Sequence, residues 1–169
     1  TSGPVTVTNS ADTGDGSLRW AIGCVNAEIA LDNIVFNTGA TSGDLNITSE
    51  STLSITDDDV FIDGSSYTML TGGEVIIQAS TSHPSDEMIL IDNASNVQLK
   101  DFQIKNGPAF GLEVDNGDGL NLDGLFCDGN SGFGIYLKST DNVTVTNSDF
   151  SNNHSGFVLE VADSKINYS

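Results

Sequence analysis

The amino-acid sequence predicts an all-β solenoid, a parallel β-helix of about five coils closed at its N-terminal end by an α-helical cap. Three observations carry this. The segment from Ser95 onward repeats, with Asp118, Asp141 and Ser164 following one another 23 residues apart. The repeats also agree column by column: Val97/Leu99 matches Leu120/Leu122, Val143/Val145 and Ile166/Tyr168, and Ile104 matches Cys127 and Phe150. A further apolar pair recurs as Leu112/Val114, Ile135/Leu137 and, one residue late, Leu159/Val161. Each repeat therefore reads as about three very short strands, parted by Gly, Asn and Asp turns. No such unit buries its apolar residues alone, so coils stacked roughly 4.8 Å apart create the core. A β-sandwich of hairpins would need two-residue turns and has no reason to hold so strict a register.

Taken in order, residues 4–9 (PVTVTN) alternate as a strand, and ADTGDG then turns the chain. A helix is expected over 17–29, where Leu18, Ala21, Ile22, Val25 and Ile29 share one face and Ser17 or Asp15 supplies the N-cap. Trp20 projects from the other side, either covered by the first strand or exposed to a partner. Residues 1–30 are read as the cap, because the end of a solenoid otherwise exposes strand edges and core. Residues 31–169 are the coils. The first turns Ile34/Phe36, Leu45/Ile47 and Leu53/Ile55 inward; the second uses Val60/Ile62, VIIQ (75–78) and MILI (88–91). Asp58 to Ser95 is about 14 residues longer than a regular repeat, so loops are inserted near 65–73 (SSYTMLTGG) and 79–87 (ASTSHPSDE). Inserted loops are where such scaffolds place specificity, and His83 in the second reads as a solvated side chain. The strand of Ile166 and Tyr168 begins a coil that does not finish, and is expected to continue in a longer protein or to serve as an assembly edge. With Thr1 first, the expectation is a mature secreted product or an excised segment.

Composition narrows the partners. Five basic residues face 24 acidic ones, for a formal charge of -19. Nothing in such a chain neutralises phosphates, which excludes nucleic acid and anionic membrane surfaces. Acidic polysaccharides would be repelled as well, unless a divalent cation bridged the two. No apolar run is long enough to span a membrane, so no insertion is expected. Cys24 and Cys127 are expected to be unpaired, since Cys127 shares a column with Ile104 and Phe150 and points into the core several coils from Cys24.

The stretch VTVTNSADTGDGSLRWAIGCVNA, followed by DNIVFN and VFIDGSS, resembles the opening of secreted bacterial right-handed parallel β-helix repeat proteins, among them polymorphic outer-membrane and adhesin-like families. The matching positions are Asp12, Gly14, Gly16, Ser17, Leu18, Arg19, Ala21, Ile22, Asn26 and Ala27, then Ile34, Phe36, Ile62, Asp63 and Gly64. The later N-x-x-x-x-G-hydrophobic rhythm, Asn106 to Gly111 and Asn152 to Gly156, is similar to the generic repeat of that fold. The resemblance implies a secreted or cell-surface protein in which Arg19 belongs to the cap. It does not define an activity, since such scaffolds host enzymes and non-enzymes alike.

Several clusters carry candidate chemistry. Polysaccharide lyases of this fold pair a base with acid-bound calcium, but Arg19, Lys100, Lys105, Lys138 and Lys165 are scattered and none meets a His in one column. Hydrolases use clustered carboxylates, for which Asp123 with Asp101 or Asp128 is the best set, although Asp at strand ends also serves turns. Asp115 and Asp118, in Asp115-Asn116-Gly117-Asp118-Gly119, gather oxygens suited to Ca2+, as does the run Asp57-Asp58-Asp59. Glu113, Tyr136 and Glu160 form an outward row in which an aromatic flanked by carboxylates can stack on a sugar ring. Asn106, Asn130, Asn152 and Asn153 read as an internal hydrogen-bonded ladder. The expectation is a non-catalytic extracellular module, structural or adhesive, that self-associates or meets another extracellular protein through its C-terminal strand edge. Its alternatives are a carbohydrate-active enzyme, lyase or hydrolase, and a module that binds polysaccharide.

Overall fold

The computed structural model describes residues 3–27, 31–160 and 166–168; the expected positions Ile29, Val161 and Lys165 lie outside them, as do the side chains of Ile166 and Tyr168. A strand β1 (Pro4–Val7) leads into a helix α1 (Leu18–Asn26). The first coil is β2 (Leu31–Phe36), β3 (Leu45–Ser49) and β4 (Leu53–Ile55). The second is β5 (Phe61–Asp63), a helix α2 (Ser65–Thr71), β6 (Val75–Ala79) and β7 (Glu87–Asp92). Then come β8 (Gln98–Lys105) with β9 (Phe110–Asp115), and β10 (Asn121–Asp128) with β11 (Phe133–Lys138). A coil of β12 (Val143–Thr146) and β13 (Ser155–Glu160) follows, and β14 (Ile166–Tyr168) lies on β12.

All the pairings between these strands are parallel and join one coil to the next. One ladder runs β1-β2-β5-β8-β10-β12-β14, with β3 and β6 joining it at β8; the other runs β4-β7-β9-β11-β13. The solenoid has three walls. Its first two walls share a ladder because β8 and β10 each pass from one wall to the next around a single residue, Asp101 (φ 54°) or Gly124 (φ 65°). Asn147 turns the same corner one coil later (φ 52°), and Asn106, Gly129 and Asn152 turn the next (φ 57°, 69° and 57°). Left-handed backbone is cheap for Gly and tolerated by Asn and Asp, and this is the geometric source of the Asn, Asp and Gly richness.

Inside the coils the columns stack as expected. Ile34, Ile62, Leu99, Leu122 and Val145 line the first wall. Ile47, Ile77, Ile104 and Cys127 line the second, and Ile55, Ile91, Val114 and Leu137 the third. All are buried, and each in-register pair removes apolar surface from water that its own coil would leave exposed. Both cysteines are free and buried, and burial pushes the Cys127 thiol up, leaving it an inert core residue.

At the N-terminal end, α1 is shorter than expected and stops at Asn26, with Ala27 as its C-cap. Ser17 caps it by accepting the Trp20 N–H at 3.1 Å. Leu18, Ala21, Ile22 and Val25 are buried, while Trp20 is 39% exposed. Arg19 fastens the helix to the first coil: its guanidinium donates to Asp12 Oδ1 (2.8 Å), Ser49 Oγ (2.9 Å), Ser51 O (2.7 Å) and Thr52 O (2.7 Å). Asn26 adds a bond to Ser54 O at 2.8 Å and accepts Thr56 N–H at 3.0 Å.

Two expectations are corrected. The insertion near 65–73 contains a helix rather than only a loop. Asp63 Oδ1 accepts the Ser65 N–H at 3.0 Å at its start, and Gly72 (φ 70°) ends it in the left-handed conformation. Tyr67 is the anchor, buried with its hydroxyl donating to Gly43 O at 3.1 Å. The last third-wall register also differs. Ile135 and Leu137 pair with Phe157 and Leu159, not with Leu159 and Val161. The turn after Asn153 is one residue shorter than the turn after Asn130, and Gly156 lands on Gly134, where a Cβ on Gly134 would lie 2.7 Å from Gly156 O. No described residue covers Phe157 or Leu159 fully; both are exposed.

The asparagine ladder is internal at two of its four expected positions. Asn130 Oδ1 accepts the Gly107 N–H at 2.7 Å, and Asn130 donates from its backbone and side chain to Asn153 Oδ1 at 2.8 and 2.9 Å. Asn153 in turn donates to Cys127 O at 2.7 Å and Phe150 O at 2.8 Å. Asn106 and Asn152 are exposed at a corner instead. Asn130→Ala leaves the Gly107 N–H without its acceptor and is expected to cost about 2 kcal/mol in urea unfolding. A midpoint shift no larger than that of Ser131→Ala, its exposed neighbour, would show that the ladder contributes nothing.

Candidate functional site

The third wall presents its outward side chains in columns set by the parallel register. Glu87, Phe110, Phe133 and Ser155 make one column. Leu90, Glu113, Tyr136 and Val158 make the next, and Asp92, Asp115, Lys138 and Glu160 the third. At the centre three rings meet. Phe110 and Phe133 stack in parallel, centroids 5.3 Å apart with 5° between planes. Tyr136 leans against both, at 5.2 Å from Phe110 and 5.7 Å from Phe133. These spacings are those of offset aromatic pairs, and the result is a half-exposed apolar platform on the third wall.

Acids surround the platform. The Tyr136 hydroxyl donates to the Glu160 carboxylate, and this bond raises the phenol above its ordinary value. Lys138 Nζ lies 2.7 Å from Asp115 Oδ2, which raises the lysine and holds it charged. Glu113 is pushed above the ordinary carboxylate range by burial beside the rings, then by Glu87; Lys138 opposes, and Asp115 and Asp86 add to the rise. The wall therefore offers apolar ring faces bordered by hydrogen-bond acceptors.

The expected row of Glu113, Tyr136 and Glu160 is rearranged. Val158, not Glu160, lies opposite Tyr136, and Glu160 pairs with Lys138, reaching Tyr136 across the wall by its side chain. Phe110 and Phe133 were not expected here. Strict alternation places each on the inward face with Leu112 and Ile135. The glycines between, Gly111 and Gly134, instead point inward at the buried Asn130 and at the next coil: a Cβ on Gly111 would lie 2.8 Å from Asn130 Nδ2. Two inward positions in succession turn the preceding Phe outward. The Phe-Gly-aliphatic triplet, repeated 23 residues apart, is the signal that could have revealed it.

The expected carboxylate set is only partly brought together. Asp123 lies in register with Lys100, which also pairs with Asp63. Asp101, at the corner beside them, has its carboxylate 3.8 Å from Lys100 Nζ. Burial raises Asp101, Lys100 opposes, and Asp123 and Asp63 raise it further. Asp123 is held low by hydrogen bonds from Thr146 at 2.7 Å and Asn147 at 2.8 Å to one oxygen. Asp128 lies on the second wall in register with Lys105, in a depression shared with Asp149 and Asn152. The candidate metal ligands have separate partners: Asp115 the ammonium of Lys138, and Asp118 the amide of Asn142 at 2.8 Å. Asp58 accepts the Ser95 N–H at 2.7 Å and Asp59 the Asn96 amide at 3.1 Å. Among the described residues no group of three or more His, Cys, Asp or Glu could hold a metal ion. Ile166 and Tyr168 belong to β14, which pairs with β12 on one side and with no other described strand.

The sign of the Glu113 shift has a measurable consequence. A carboxyl raised in the folded state costs stability above its folded pKa, and the cost vanishes below the unfolded one. Glu113→Gln is thus expected to raise the urea midpoint near about pH 7 and to leave it unchanged near about pH 3. A variant equally stabilised at both would place the effect outside Glu113 ionisation.

A sequence model described as right handed beta helix region matches residues 33–169. No curated protein matches the chain.

Proposed function

The chain belongs to the right-handed β-helix family, and from that premise we propose that it is a non-catalytic extracellular module, secreted or held at the cell surface, that adheres to a neutral glycan through its third wall. The observation that carries this is the three-ring platform of Phe110, Phe133 and Tyr136. A sugar ring has an apolar C–H face that stacks on aromatic rings, while its equatorial hydroxyls point sideways as donors. Glu87, Glu113 and Glu160 stand where acceptors for those hydroxyls are needed. The platform spans successive coils, so a chain of sugars lying along the solenoid axis meets rings and carboxylates in turn. The charge of -19 selects against uronic acids.

Titration calorimetry against soluble neutral β-glucan, xylan and galactomannan, with polygalacturonate beside them, tests the reading. A neutral glycan is expected to bind, and Phe133→Ala or Tyr136→Ala to weaken it roughly tenfold, the upper range for an aromatic contact. Binding indifferent to both substitutions, or confined to polygalacturonate, would refute it. New reducing ends during the titration would move the chain to the enzymes.

A further inference from the structure

On another face, the helix α2 stands at the corner between the first and second walls and borders a groove of about 250 Å3 that a regular coil would lack. We propose that this groove takes an extended segment of another protein that presents an arginine or lysine between apolar residues. Its bed is apolar. Met69 is 80% exposed on the helix side and Phe126 44% exposed on the wall side, with Phe102 beneath.

Its polar groups are mostly acceptors. Asp101 and Glu74 border it. Gln103 turns its amide nitrogen to the Glu74 carboxylate, and its buried Oε1 has no hydrogen-bond partner. The nearest cation, Lys100, is 3.8 Å from Asp101 and is shared through the register with Asp63 and Asp123. Thr68 contributes a hydroxyl, and the Ser65 hydroxyl is already spent on Asp63. A ligand must therefore bring donors and positive charge as well as apolar length. Arginine and lysine do both, with the stem lying along Met69 and Phe126 and the head reaching Asp101. A guanidinium also gains from the face of Phe126.

The two sides of the groove are fixed relative to each other before anything binds. Gly64, just ahead of α2, packs so closely on the Asp101 peptide that a Cβ there would lie 2.1 Å from Asp101 O. Tyr67 anchors the helix from beneath.

The test is fluorescence anisotropy with labelled hexapeptides of alternating Leu and Arg, Gly and Arg, or Leu and Glu, at roughly physiological salt, where the general field of the chain is screened beyond about 8 Å. The Leu–Arg peptide is expected to bind best. Asp101→Asn and Phe126→Ala are each expected to weaken it roughly tenfold, as for loss of a charge-assisted bond or an aromatic contact. Asp101→Asn keeps the corner intact, since Asn147 already turns the equivalent corner at φ 52°. Asp141→Asn, which removes the same charge from an exposed turn, and Phe133→Ala on the third wall are expected to change little. Equal binding of the Gly–Arg peptide, or equal losses from Asp141→Asn and Asp101→Asn, would overturn the proposal in favour of non-specific attraction. No binding of the Leu–Arg peptide would overturn it outright. Because the glycan platform lies on a different wall, Phe133→Ala separates failure of this proposal from failure of the glycan reading.

Discussion

At each corner of a coil the backbone turns on one or two residues, several of them with positive φ, and the coil above turns at the equivalent residues. This shared turning is what the rest of the structure depends on. It keeps Asp101 over Gly124 and Gly124 over Asn147, so the strands between corners stay in parallel register. The register puts like beside like. Hydrogen bonds between coils run along the ladders, and the apolar residues of the inner coils are covered by the equivalent residues of their neighbours. An L-residue with a branched Cβ at these corners would pay for left-handed backbone at each turn, which is why the corners belong to Asn, Asp, Ser and Gly.

The same stacking builds the outer walls. Aromatics that are single in one coil become a platform when the next coil repeats them, as Phe110 and Phe133 do. Charges become columns, and here the sequence is heavily one-sided. The fold manages many of its carboxylates by giving them donors: Asp123 takes Thr146 and Asn147, Asp118 takes Asn142, and Asp58 takes the Ser95 N–H. Those acids serve the ladder. The acids whose pKa is raised, Asp101 and Glu113, stand instead beside exposed apolar surface, and both proposed contact faces include one of them.

Departures from the regular repeat make the difference between a scaffold and a surface with addresses on it. The second coil carries α2, and a groove opens beside it. The turn after Asn153 loses a residue, and the third-wall register shifts so that Glu160 meets Lys138 while still reaching Tyr136.

The sequence by itself determined the fold class, the inward columns of the first two walls, the unpaired cysteines with Cys127 in the core, and a short helix near the N-terminus. Each follows from a period or a local capping pattern, and neither needs knowledge of distant residues. It also marked the carboxylates worth examining, because Asp is recognisable wherever it stands. Only the tertiary structure decided which of them meet. Asp101 and Asp123 share a corner, whereas Asp128, five residues from Asp123, lies around that corner on another wall. It decided, too, that Phe110 and Phe133 face outward, because the inward turn of Gly111 and Gly134 is set by Asn130 and by the neighbouring coil. A left-handed corner or an inward glycine reverses the parity of every side chain beyond it, and that reversal is fixed by what packs against the chain rather than by its own alternation.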